Sequence, residues 1–101
     1  AARMHEAAAG CVDEALRDNR LRTAQGCLDA WQALAPADPA LRAARPRLAQ
    51  RWLAVGEERL RAGELEAVAR ALASARALDP ATPGLDDLAA RLARARGNAP
   101  L

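Results

Sequence analysis

Few side chains in this 101-residue chain are capable of chemistry: one histidine, two cysteines and thirteen carboxylates. A general base needs an oriented partner and a pocket. His5 stands near the chain start with no partner that the sequence identifies, and it reads as a surface residue. The acid pairs Asp13/Glu14, Glu57/Glu58 and Asp86/Asp87 are adjacent in sequence. Neighbouring side chains diverge by about 100° around a helix, so these pairs read as solvated rather than as acid–base couples. There is no glycine-rich phosphate loop, and no His/Cys cluster at metal-ligand spacing. The expectation is a chain that is not an enzyme and holds no metal or cofactor.

Alanine and leucine, both strong helix formers, dominate the composition, and β-branched residues are scarce. An all-α fold follows, with helices packed closely across small alanine faces. All 15 basic residues are arginine, but 13 carboxylates bring the net charge to +2. Interleaved charge of both signs suits a solvated helix surface better than a phosphate-binding one, and no nucleic-acid partner is expected. No run of apolar residues is long enough to span a bilayer, and no signal peptide is evident. The opening Ala-Ala-Arg lies mid-pattern without an initiator Met, which suggests a soluble domain excised from a longer parent, with room for a membrane anchor outside this sequence.

Displacing the sequence against itself by 44 residues aligns Glu14 with Glu58, Leu16 with Leu60, Arg17 with Arg61, Leu21 with Leu65, Leu28 with Leu72 and Leu34 with Leu78. Pro36 and Pro39 then fall on Pro80 and Pro83, and Arg47-Leu48-Ala49 on Arg91-Leu92-Ala93. Each copy reads as helix, tight turn, helix, proline stop. Gly63 suits the left-handed residue that ends a helix, and Asn19 takes its place in the first copy. Asp38-Pro39 reads as an N-cap followed by proline at the first helical position. Helices are predicted over about 3–18, 21–35, 39–62, 65–78 and 83–96. Pro46 should kink or interrupt the third, with a short separate helix before it as the alternative.

Cys11 and Cys27 each lie eight residues from Asn19, so an antiparallel hairpin brings them level. Level positions on paired helices can meet the Cα separation of a disulfide, roughly 4.4–6.8 Å. Two readings stand. A bridge implies an oxidising compartment, most naturally the bacterial periplasm; two buried free thiols serving as small core residues fit the cytoplasm equally well. The indoles of Trp31 and Trp52 are expected in the core.

Trp52-x2-Val55-Gly56, the turn at Gly63, Val68, Ala75 and Leu78-Asp79-Pro80 resemble a tetratricopeptide repeat. The first copy is similar, with Val12 in place of the helix-packing Gly and Trp31 in place of a small Ala. The resemblance implies a single domain over 1–101, a right-handed superhelical array of antiparallel hairpins. Its parts are repeat one (about 4–36), an extended linker or helix (about 38–51), repeat two (about 52–80) and a capping helix (about 83–96). The family period is about 34 residues, so the 44-residue period here adds ten between Pro36 and Trp52.

The resemblance also implies a non-catalytic module that binds a protein or peptide on a concave face. That face would carry Asp13, Arg17, Leu53, Glu57, Arg61, Arg91 and Arg94. The Lys/Asn pattern with which some members grip a C-terminal carboxylate is missing. In style the chain resembles the helical sensor or scaffold regions of bacterial membrane Ser/Thr kinases and related envelope proteins. A structural homodimer paired through Leu41, Leu48 and Leu101 is the alternative.

Overall fold

A computed structural model of the chain describes residues 2–97, with side chains from residue 5 onward. Five helices are present among them: α1 (Ala2–Arg17), α2 (Leu21–Leu34), α3 (Pro39–Arg61), α4 (Leu65–Leu78) and α5 (Leu85–Gly97). No strand occurs among the described residues. The chain divides into two compact units, Ala1–Leu48 and Ala49–Leu101, with the division inside α3.

In the first unit α1 packs on α2. The turn between them is built on Asn19, whose φ of 55° stops α1. Asn19 N–H donates to the Leu16 carbonyl (3.1 Å) and Arg20 N–H to the Ala15 carbonyl (2.8 Å). This paired closure satisfies carbonyls that the helix end would otherwise leave open. Val12, Leu16, Leu21, Ala24, Leu28 and Trp31 are buried, at the three- and four-residue spacing of helix faces. The third segment starts as the sequence predicts: Asp38 Oδ1 accepts the Ala40 N–H (2.9 Å), and Pro39 fills the first helical position.

Leu41 and Leu48 are fully buried in this unit. They cannot be the exposed pairing positions that a homodimer was expected to use. Seven residues apart, they share the α3 face that turns into the core. Leu101 lies outside the described residues. Pro46 does not break α3 into two helices. Its position is exposed, where water can serve the Arg42 carbonyl that proline leaves without its helical donor.

The second unit repeats these terminations 44 residues on. Gly63, at φ 76°, replaces Asn19. Gly63 N–H donates to the Leu60 carbonyl and Glu64 N–H to the Arg59 carbonyl, both at 3.0 Å. The exit of α2, Ala35 N–H to the Trp31 carbonyl (2.8 Å), recurs at α4 as Asp79 N–H to the Ala75 carbonyl (2.9 Å). Here α4 packs on α5, and Val68, Leu72, Ala75, Leu78, Leu85, Leu88 and Leu92 form the core. A Cβ on Gly56 would lie 2.8 Å from Leu88 Cδ2 and 3.4 Å from Ala71 Cβ, so the helices meet there over bare backbone. The last helix starts at Leu85 and not at Pro83, because Gly84 has φ 89° and cannot join it. Thr82 closes the loop instead, its hydroxyl donating to the Asp79 carbonyl at 2.6 Å.

Candidate binding surfaces

Of the face expected to meet a partner, Asp13 and Arg17 belong to the first unit and the other five residues to the second. Asp13 accepts an ion pair from Arg47 (2.9 Å). Arg91 pairs with Asp87 one turn earlier on α5 (3.1 Å). Each therefore already has a charged neighbour of opposite sign outside the expected set. Arg17, Arg61 and Arg94 are exposed and Glu57 is half-buried. Leu53 is only 6% exposed and lies beside the Gly84 turn, where a Cβ would come within 3.1 Å of its Cδ2. Its side chain is part of the core, leaving the charged residues to face solvent.

Cys11 and Cys27 stand at disulfide distance, with Cα atoms 5.8 Å apart. The hairpin register set by the Asn19 turn accounts for this spacing. Cys11 is exposed and Cys27 half-buried, so the pair lies at the surface of the hairpin and not in its core. No helix among the described residues is long and apolar enough to cross a membrane. No group of three or more His, Cys, Asp or Glu side chains among them is arranged to hold a metal ion.

A cluster that the sequence reading overlooked gathers around Asp38. His5 is no isolated surface residue: its Nδ1 donates to Asp38 Oδ2 at 2.5 Å. The Trp31 indole N–H donates to the same oxygen at 3.0 Å. The His5 ring also meets the Trp31 ring edge-on, with centroids 5.5 Å apart and planes at 89°. The Asp38 side chain is 13% exposed, with Oδ1 engaged by Ala40. Burial pushes the Asp38 carboxyl up, but the hydrogen bonds from His5, the Ala40 N–H and Trp31, aided by the His5 charge, outweigh it. The result is a carboxyl held below its ordinary value. Asp38 thus clasps the start of α1, the end of α2 and the start of α3. Nearby, Arg45 Nη1 donates to Gln32 Oε1 (2.7 Å), a second α2–α3 tie.

A buried indole needs an acceptor, and Asp38, seven residues past Trp31 beyond the Pro36 stop, was the legible candidate. Nothing in the sequence signals His5, 33 positions away. Trp31 is 3% exposed, as expected of a core residue. Trp52 is half-buried, and its indole N–H is buried without a hydrogen-bond partner among the described residues.

Beside the clasp runs an open groove of about 660 Å³, lined mainly by apolar surface from α1, the end of α2 and the Pro36 loop. His5, Glu6, Ala8, Trp31 and Asp38 contribute to it, with Leu34 at its rim. Leu34 is 64% exposed, the one large apolar side chain that stands out in this way among the described residues. Comparison with known proteins adds no assignment: no family model, curated protein or solved structure matches the chain.

Proposed function

We propose that the chain is a tetratricopeptide-like interaction module without catalytic function, which binds a protein or peptide as the sensor or scaffold segment of a larger bacterial envelope protein. The observation that carries this reading is the 44-residue recurrence of backbone terminations: Asn19/Gly63, Ala15/Arg59 and Trp31/Ala75 hold the same hydrogen-bond roles in the two copies. A helical hairpin repeated in register is the architecture of proteins that present surface to partners rather than enclose a reaction. The helices α2 and α4 correspond residue for residue at that offset. Each unit adds to its hairpin a third helical segment, the start of α3 or α5, which accounts for a period longer than the family's 34 residues.

The charged positions offered to a partner in this reading are Asp13 and Arg17 in the first unit and, separately, Glu57, Arg61, Arg91 and Arg94 in the second. The periplasm is the proposed location. A cysteine pair at disulfide distance near the surface supports it, since such a bond persists only where the surroundings are oxidising.

Crosslinking in a bacterial envelope extract tests the proposal, comparing the native chain with a triple variant, Arg17→Glu, Arg61→Glu and Arg94→Glu. A defined partner captured by the native chain and lost by the equally folded variant is the expected result. Capture of nothing but a second copy of the chain would favour a homodimer and contradict the module reading.

A further inference from the structure

We infer that the Cys11–Cys27 pair is a thiol-exchange site: an external thiolate attacks Cys11, is held there as a mixed disulfide, and is released again by Cys27. This goes beyond the module reading of the chain and rests on one part of it, the pair being bonded in an oxidising compartment.

Access singles the pair out. Cys11 is exposed and Cys27 half-buried. Ala7, one turn before Cys11, and Ala30, one turn after Cys27, are exposed too, as are Gly10 and Gly26 beside the two cysteines. A Cβ built on either glycine would meet nothing within 4 Å. On this side the pair is bordered by methyl groups and bare backbone, so a thiolate carried by a small molecule or by a protein can approach it. Glu14 and Thr23 stand one turn away in the opposite direction, toward the Asn19 turn.

The fold does not depend on the bond. At the 44-residue offset the second unit holds Val55 and Ala71 in place of the cysteines, and it closes the equivalent turn with the same pair of hydrogen bonds. The first unit keeps a sulfur-free core in Val12, Leu28, Leu41 and Leu48, none more than 1% exposed. The Asp38 clasp ties its three helical segments besides. A disulfide sealed in a core must wait for unfolding to be attacked, whereas this one is open in the folded chain.

Exchange here has a direction. A thiolate attacks the sulfur it can reach, which is Cys11 Sγ. One S–S bond forms as the other breaks, and the electron pair leaves on Cys27 Sγ, which takes a proton from water. The fold keeps the two Cα atoms at 5.8 Å, within bonding range. Cys27, deprotonated again, attacks Cys11 Sγ, restores the bond and expels the original thiolate. A second external thiol that attacks the adduct first leaves both cysteines reduced and carries the disulfide away. An accessible cysteine with a resolving partner beside it is the arrangement of reversible redox sites.

The test starts from the full chain purified without reductant, treated with glutathione at neutral pH, quenched with N-ethylmaleimide at intervals and mapped by mass spectrometry. Glutathione on Cys11 with maleimide on Cys27 should exceed the reverse arrangement by on the order of tenfold. The rate should follow glutathione concentration and stay constant in urea below the unfolding transition, with the amide spectrum dispersed throughout. In a second arm, Cys27→Ser should take glutathione from glutathione disulfide about tenfold faster than Cys11→Ser. A thioredoxin that keeps only its attacking cysteine should be trapped on the same sulfur; capture of glutathione without thioredoxin would assign the site to small thiols. Adducts shared equally with Cys27, or a rate that climbs with urea in step with unfolding, would overturn the inference and leave the bond and its location standing. Two free thiols in the starting protein would overturn it together with the location. Partner capture through the charged positions decides the module reading separately.

Discussion

The two units share a backbone plan and differ in how they fill it. Both end their first helix with the same pair of hydrogen bonds around a left-handed residue, and both leave their second helix through the same carbonyl position. The side chains inside have been exchanged. Where the second unit brings bare Gly56 against Leu88, the same positions in the first hold Val12 and Ala44, large and small reversed. Where the second has Trp52 on its first helix and Ala75 on its second, the first has Ala8 and Trp31. Cys11 and Cys27 stand where the second unit has Val55 and Ala71, and Asp38 where it has Thr82. Register in this repeat is thus held by turns and prolines, while volume is traded between facing helices. Close packing requires the total to be kept, not the donor of each methylene. The trade is incomplete at one place: Leu78 is covered and Leu34 is not.

Trp31→Ala should give the largest effect, a loss of about 3–5 kcal/mol measured by urea unfolding, because a large buried side chain is deleted. If the exchange of indoles is real, Trp52→Ala should cost less, since Trp52 is only half-buried. Breaking the Cys11–Cys27 link by reduction should come next, lowering stability by about 3 kcal/mol for a loop of this size. Hydrogen exchange should show the loss in the amides of α1 and α2, with α4 and α5 unaffected. A native protein with two freely reactive thiols would remove both the link and the envelope location.

The smallest effect is a difference in acid response. The Asp38 carboxyl is held below its ordinary value of 3.8, so its contribution to folding is present above that pH and fades as pH falls through the lowered value. The Thr82 position in the second unit does not titrate. In a Trp52→Phe background, Trp31 fluorescence should therefore report an acid transition in the first unit. Asp38→Asn should flatten it.

Much of this fold was legible because it depends on local rules. The Gly63 and Asn19 turns, the Asp38-Pro39 cap and the proline stops are short-range stereochemistry, and the observed helix limits lie within two residues of those expected. What escaped were features set by packing. Leu41, Leu48, Trp52 and Val55 are legible as one apolar face of α3, but their spacing does not say whether that face turns into the core, as it does at Leu41 and Leu48, or out toward a second copy. The exposure of the cysteines follows from hairpin rotation, which equal distances from a turn do not determine. The Asp38 clasp required a contact across 33 positions between a terminus and a loop. Of the expected partner face, the sequence could not show that Leu53 turns inward, because that too is decided by helix rotation.

A double-mutant cycle on Gly56 and Leu88 tests the two-copy account most directly. Gly56→Val should destabilise by about 1–3 kcal/mol through overpacking, and Leu88→Ala by about 2–5 kcal/mol through the cavity it leaves. Made together they recreate the Val12/Ala44 pairing of the first unit. The account predicts that the double variant loses less than the sum, by a coupling of about 1–3 kcal/mol. Strictly additive losses would contradict the claim that the two units are one design repeated at 44 residues.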